Sequence, residues 1–328
     1  MQSRISNDIR DEQYMELLSK VRFSPIFIMG DHRSGTTLLY KTLAATECFN
    51  FLKAYHIIEY ERLLLNYVNK TENQVYEKLV AQFKSLGISD RVFDRIEVTP
   101  NLPEEYGFVL KNHGYEAYLN PDNLSLFTNL CRKIQFISDS DRPILLKNPW
   151  CFLHFMYIKN SFPEARFIFI HRHPIHVMNS KLKALRMMLS QWSAYTSLIS
   201  KRYRKIFDRP LLRLIYQLMY SKYFSLGVNR VTQQSFQSTN YFLNNIELLP
   251  KSDYISIKYE DLCQQPKANI VNILDFLELE GKRFIDYDNL IQPRPLNLLP
   301  EVQNKYEQIC KKLQPYLTYN GYENQITR

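Results

Sequence analysis

The sequence predicts an α/β protein, a parallel sheet flanked by helices. Two patterns predict it. Four short apolar runs, at 25–29, 144–146, 167–170 and 254–257, have the length and unbroken hydrophobicity of strands buried on both faces. Each is followed by a turn and a stretch with helical spacing. Strands that alternate with helices make βαβ units, whose ligands bind at the carboxyl ends of the strands.

The first unit carries the most information. Residues 25–45 read PIFIMGDHRSGTTLLYKTLAA, an apolar run, a turn opened by Gly30, and a helical pattern that starts at Gly35-Thr36-Thr37. A strand, a tight glycine turn and a helix N-terminus form an anion cradle. Backbone N–H groups converge there, and the positive end of the helix dipole points at the bound group. The spacing Gly30-x4-Gly35 is that of the phosphate-binding P-loop, but Thr36 stands where that loop carries its Lys, and the cation sits ahead of the second glycine as Arg33. The loop therefore predicts phosphate or sulfate binding, without the arrangement of an ordinary Mg-nucleotide hydrolase.

About a hundred residues with no clear strand separate this unit from the run at 144–146. Within them 55–85 look helical and 101–140 mix loop and helix, a natural cap over the substrate side. A helical stretch at 150–159 follows the second run, and one at 174–185 follows the third. A Tyr-, Arg- and Leu-rich segment at roughly 186–245 reads as mostly helical, and the fourth run leads into a helix at 267–279. Pro293, Pro295 and Pro300 break the chain before a last helix near 301–313. No repeat, low-complexity tract or linker divides the chain. Residues 1–328 are expected to form one domain with helical insertions at about 50–140 and 186–245.

Bulk properties narrow the partners. The 328 residues are 45% hydrophobic and 23% charged, an ordinary globular mix with ample core. A net charge of +9 favours an anionic partner, whether nucleotide, sulfated or phosphorylated ligand, nucleic acid or membrane surface. Cys48, Cys131, Cys151, Cys263 and Cys310 have no metal-ligand spacing and read as the reduced thiols of a cytoplasmic protein. The polar start MQSRISNDIRDEQYMELLSK lacks the apolar centre of a secretory signal. No run approaches the ~18 apolar residues of a membrane span.

A second constellation lies at 163–181, PEARFIFIHRHPIHVMNSK. Arg172 follows the third apolar run, and Ser180 lies eight residues later in the next helix. A strand-end Arg and a helical Ser can converge on one phosphate, with Arg supplying a charge-assisted fork.

With both constellations in hand, the chain resembles the sulfotransferases that use 3′-phosphoadenosine 5′-phosphosulfate (PAPS). Arg33-Ser34-Gly35-Thr36-Thr37 is similar to that family's loop for the 5′-phosphosulfate, and Arg172 with Ser180 to its 3′-phosphate pair. ILLKNP, where Lys147 ends a strand, and IKYEDLCQQPKANIVNILDFLEL at 257–279 match two further family elements. The resemblance runs from about residue 23 to 280 and looks closest to bacterial-type members. It implies a P-loop NTPase-like sulfotransferase fold with helical insertions, PAPS as donor and adenosine 3′,5′-diphosphate as product. It further implies in-line transfer to a hydroxyl on a small molecule, glycan or lipid, with no metal and no nucleic-acid partner. The substrate-facing insertions match no element of the family, so the acceptor stays unspecified, as does the oligomeric state.

Sulfuryl transfer needs an aligned donor, an offset for the charge that builds on the bridging oxygen, and an acceptor for the hydroxyl proton. Cations and backbone N–H groups can supply the second without a metal, and no metal-ligand cluster is visible. The resemblance assigns Arg33 to the 5′-phosphate and leaving oxygen, and Lys147 to the transferring sulfuryl group. Thr36 and Thr37 can hold phosphate oxygens or simply cap the helix. The family's base is a His or Glu whose place differs among branches. Where it follows the Lys strand by two residues, the equivalent here is Pro149, which cannot serve. Where it lies about twenty residues after the loop Arg, the candidates are His56, which is 23 residues past Arg33, and Glu59 one helical turn on. Residues three apart share a helix face. His56 is favoured because its ordinary pKa lies near neutrality, whereas Glu59 needs burial to become an effective base; Glu61 comes third.

The remaining candidates have two readings each. His171 and His173 read as loop residues that support the site rather than as ligands. Trp192 and Tyr195 fall where the family packs an aromatic on adenine, or in the core, and Tyr259 can frame the same pocket. Arg294 corresponds to the family's late 3′-phosphate loop, without its Lys/Arg-x-Gly pattern. The basic, aromatic and amphipathic stretch 201–223 can rest on an anionic membrane or receive a lipid-like acceptor, or it is a basic helical face over the active site. Two other functions compete: a P-loop nucleotide kinase or NTPase, and an inactive nucleotide- or membrane-binding protein on the same scaffold. The first lacks the Gly-Lys-Ser/Thr ending and a strand ending in a Mg-binding Asp. Against the second stand Arg33, Lys147, Arg172 and Ser180, all retained.

Overall fold

The computed structural model describes residues 10–92, 96–139, 141–281, 285–291 and 297–323. Among them, β1 (Pro25–Met29), β2 (Asn50–Phe51), β3 (Ile144–Lys147), β4 (Arg166–His171) and β5 (Tyr254–Lys258) form one parallel sheet in the order β2-β3-β1-β4-β5. The helices that bear on the site are α1 (Thr36–Ala45), α2 (Ala54–Ile58), α3 (Pro174–Ser190), α4 (Lys201–Phe207), α5 (Pro210–Met219), α6 (Leu226–Asn245), α7 (Tyr259–Gln264) and α8 (Pro266–Phe276).

The strands read as continuous apolar runs because both faces of the sheet are covered. Side chains alternate across a strand. Phe27, Met29, Ile144, Leu146, Phe167 and Phe169 enter one core. Ile26, Ile28, Leu145, Ile168 and Ile170 enter the other, with Leu39, Tyr40 and Leu43 of α1 and Ile270, Ile273 and Leu274 of α8. The first core is aromatic, with Phe27 stacked on Phe167 at 5.8 Å between centroids. Truncating such a ring costs about 3–5 kcal/mol. The same alternation carries on through Lys147, which follows Leu146 and therefore turns to the α1 side at the carboxyl end of β3.

Sequence patterning missed β2. Two residues are too few to show a period, and this edge strand is secured from outside itself. The Tyr40 hydroxyl accepts the Leu52 N–H at 3.1 Å and donates to the Leu145 carbonyl at 3.2 Å. Other boundaries moved with local chemistry. The stretch expected as a helix at 150–159 is a 3-10 turn at Pro149–His154 followed by a helix at Phe155–Ser161. The last helix is broken into Pro300–Gln303, Tyr306–Lys312 and Gln314–Tyr319. Pro300 and Pro315 each open a segment, in the first turn, where a missing N–H costs nothing. Pro210 likewise starts α5 and splits 201–223 into two helices. Pro293, Pro295 and Arg294 lie outside the described residues.

No helix among the described residues is long and apolar enough to cross a membrane. The five cysteines are free thiols.

Candidate functional site

The site is built at the carboxyl ends of β1, β3 and β4, where the loop of residues 30–35 crosses to α1. Two glycines let it close. A Cβ at Gly30 would stand 2.6 Å from Ser34 Oγ and 2.7 Å from the Ile170 carbonyl. Gly35 has φ 105°, and a Cβ there would lie 2.3 Å from the Tyr259 ring. Arg33 between them is also left-handed, with φ 74°, a conformation that costs a residue with a side chain about 1–2 kcal/mol. Something must hold it, and the Arg33 carbonyl accepts from Arg172 Nη1 at 3.1 Å.

The two constellations that the sequence keeps far apart meet here. Arg33 Nε donates to Ser180 Oγ at 3.0 Å. Arg172 lies with its guanidinium carbon 4.1 Å from the centre of the Tyr259 ring, and Tyr259 in turn covers Gly35. Lys147 Nζ donates to Thr37 Oγ1 at 2.8 Å at the start of α1. Ser34 Oγ and Arg172 Nε are buried and find no hydrogen-bond partner among the described residues. Unmatched donors of this kind are rare in native structures and suit an anionic ligand with several acceptor oxygens.

Lys147 brings in a residue that the sequence did not single out. Its side chain is fully buried and pairs at 2.7 Å with Glu105, which is 13% exposed. Burial pushes the Glu105 carboxyl up, but the charges of Lys147, His32 and Arg91 outweigh it and hold the group below its ordinary value. His32 lies edge-on to Trp150 at 5.0 Å. Loss of water around its ring holds it down to about 4, against the pull of the Glu105 charge. Glu105, His32 and Trp150 thus lie together beside Lys147. No sequence signal marked Glu105, because it comes from an irregular loop within the helical insertion.

Asp31 was equally invisible. Its Oδ1 accepts the His32 N–H at 2.8 Å, and its Oδ2 pairs with Lys181 Nζ at 2.5 Å and accepts from Ser235 and Ser238 of α6 at 3.3 Å. Neighbouring residues of α3 therefore hold the loop at two points, Ser180 through Arg33 and Lys181 through Asp31. The start of α3 is fixed too, since the His173 N–H donates to Glu260 Oε1 at 3.3 Å.

His56 has a different seat. It is 3% exposed, and its Nδ1 accepts the Lys53 N–H at 3.1 Å to close the first turn of α2. Burial, with help from the Lys53 charge, holds it down to about 3. The helix ends at Ile58 and Glu59 is its C-terminal cap, so the pair does not share a continuous helix face as the spacing suggested. Glu61 bonds His113 Nε2 at 2.7 Å. Of the two readings for Tyr195, the core is the observed one: it is 1% exposed and its hydroxyl donates to Glu104 at 2.7 Å. Trp192 packs on Tyr203 and Phe207 of α4. His171 meets the Tyr316 hydroxyl at 2.7 Å, and burial holds it down to about 3. His173 is buried and held at about 4 for the same reason. Among the described residues no cluster of metal-ligating side chains occurs.

Comparison with known proteins agrees with this architecture. No curated protein matches the chain. Among solved structures, sulfotransferase STF9 from Mycobacterium avium superposes with a TM-score of 0.60 at 16% identity, covering 94% of this chain and 80% of that one. Sulfotransferase STF1 from Mycobacterium tuberculosis H37Rv gives a TM-score of 0.57 at 15% identity, covering 92% and 79%. At such identities the likeness speaks for the fold, the P-loop-like sulfotransferase fold. The family model described as "Sulfotransferase family" matches residues 25–283, from β1 past α8, and with most of its length so matched the chain belongs to the sulfotransferase family.

Proposed function

We propose that the protein transfers the sulfuryl group of PAPS to an acceptor hydroxyl. The observation that carries this reading is the junction of Arg33, Arg172 and Ser180 at one glycine loop, with Lys147 and Glu105 beside the start of α1. Two clusters of donors within one loop system suit a ligand with two phosphates. The backbone N–H groups of 35–37, with Arg33, Thr36 and Thr37, hold the 5′-phosphosulfate. Arg172 and Ser180 hold the 3′-phosphate, and the unpartnered Arg172 Nε gives that ligand a donor. Tyr259 supports both by stacking on Arg172 and packing against Gly35.

In the transfer the acceptor oxygen attacks sulfur, the bond from sulfur to the bridging oxygen breaks, and its electron pair stays on the 5′-phosphate. Arg33 and the loop N–H groups offset that charge. We assign the acceptor's proton to Glu105 rather than to His56 or Glu59. Glu105 stands 2.7 Å from Lys147, the residue assigned to the sulfuryl group, whereas His56 Nδ1 is taken up by the Lys53 N–H in the first turn of α2. Lys147 that turns to the sulfuryl oxygens no longer neutralises Glu105, and the basicity of Glu105 rises as the reaction begins. His32 and Trp150 then form the wall along which the acceptor enters.

Thermal-shift titration tests the reading. Adenosine 3′,5′-diphosphate is expected to stabilise the protein and Mg-ATP is not, and labelled sulfate from PAPS is expected on a member of a hydroxyl-compound panel. Stabilisation by Mg-ATP alone would favour a nucleotide kinase. Diphosphate binding without transfer would favour an inactive scaffold.

A further inference from the structure

One surface lies outside all of this. In α5, Leu211, Leu214, Ile215 and Leu218 stand at helical spacing on one face, and Tyr223, Phe224 and Leu226 continue it; all seven are between 49% and 79% exposed. No residue of α5 is buried. The helix is nevertheless firmly seated. Tyr216 and Met219 pack against the core formed by α3, α6 and the C-terminal segments. Gln217 Nε2 donates to the Leu189 carbonyl at 2.8 Å, and Arg186 Nε to the Tyr220 carbonyl at 2.6 Å. The apolar face is thus presented outward by a helix whose opposite side is fixed to the protein.

Charge says what the face meets. Residues 201–230 hold eight Lys and Arg against one acid, Asp208, a net +7 within a chain of net +9. Lys201, Arg202, Arg204 and Lys205 of α4, Arg209 at the start of α5 and Lys222 just after it are exposed. A second copy of the chain would bring +7 against +7. An anionic bilayer offers opposite charge to the rim and hydrocarbon to the centre, and a ten-residue amphipathic helix with basic flanks is long enough to lie in that interface but not to cross it. We propose that α5 and its flanks form an interfacial element that seats the protein on anionic lipid. The proposal is independent of the donor and acceptor assigned above.

The test is co-sedimentation of the intact protein with vesicles of phosphatidylcholine alone and of phosphatidylcholine mixed with phosphatidylglycerol. Binding to the mixed vesicles only is expected, with release by added salt. Leu214→Asp with Leu218→Asp is expected to weaken it at least tenfold. Each charge reversal among Arg202, Lys205 and Arg209 is expected to weaken it by about fivefold or more. Both sites are exposed, and unchanged melting temperatures would show that the variants fold. Recovery in the supernatant with both vesicle types overturns the proposal. So does a wild-type dimer in light scattering that Leu214→Asp with Leu218→Asp converts to monomer, which would assign the face to a second copy.

Discussion

Arg33 and Ser180 are 147 positions apart, and the Nε–H of the first donates to the Oγ of the second at 3.0 Å. This bond joins the loop after β1 to the helix after β4, so the two elements proposed to bind phosphate form one structure. Arg172 completes it through the Arg33 carbonyl. Arg172→Ala is expected to weaken adenosine 3′,5′-diphosphate binding more than tenfold, because a hydrogen bond to a charged group contributes about 1.5–3 kcal/mol. Ser180→Ala removes a neutral partner worth about 0.5–1.5 kcal/mol and is expected to cost roughly threefold to tenfold. Isothermal titration checks both; equal effects would show that the serine's contact with the 3′-phosphate counts for as much as the guanidinium's.

Glu105 and His56 make opposite predictions. Glu105→Gln keeps a hydrogen-bonding side chain beside Lys147 but cannot accept a proton. Turnover is expected to fall by roughly 10²–10⁴, with diphosphate affinity nearly unchanged. His56→Asn keeps an acceptor for the Lys53 N–H and is expected to leave turnover within about fivefold of wild type, given the ~1 kcal/mol scale of a lost or weakened hydrogen bond. Steady-state kinetics on a transferred acceptor decides. A collapse of turnover in His56→Asn with normal melting would return the base to His56.

What the sequence made legible follows from how local the physics is. The apolar runs that became β1, β3, β4 and β5 announce themselves because both faces of a parallel strand are buried. The loop is legible because close approach at Gly30 and Gly35 demands glycine, and Arg172 because it directly follows a strand. Glu105 and Asp31 were not legible. Their meaning rests on Lys147 and Lys181, which are brought to them only by the tertiary fold. His56 shows a related limit: its ordinary pKa can be read from the sequence, whereas the burial that holds it well below that value is set by the fold. The two-residue β2 lacks a period to detect, and its place depends on the Tyr40 hydroxyl.

Gly35 is the position at which the loop tolerates least. Alanine there meets both the left-handed φ of 105° and the Tyr259 ring at 2.3 Å. Gly35→Ala is expected to abolish measurable diphosphate binding. Adding Tyr259→Ala removes the clash but not the backbone cost of about 1–2 kcal/mol, and also the stacking on Arg172. The double variant is therefore expected to recover binding only in part, to a level weaker than Tyr259→Ala alone. Full recovery would show that the ring, not the backbone conformation, sets the requirement for glycine.

Acid sensitivity follows from the buried histidines. His56 and His171 are each held to about 3, chiefly by burial, against an ordinary 6.5. The native state therefore refuses protons that the unfolded chain takes up below pH 6.5. The sign is that of a depressed native pKa: the stability that depends on neutral imidazole is complete above pH 6.5 and is lost progressively as the pH falls toward about 3. Each such histidine adds a slope of about 1.4 kcal/mol per pH unit within that window. Urea denaturation at pH 7, 6 and 5 measures it. His56→Asn removes one titrating group and is expected to flatten the dependence by one proton's worth, while the rest persists through His171 and other histidines that burial holds down, such as His32 and His173. An unaltered slope in that variant would mean that His56 is protonated as readily in the folded protein as in the unfolded chain, and that its ring is not sealed from water at the start of α2.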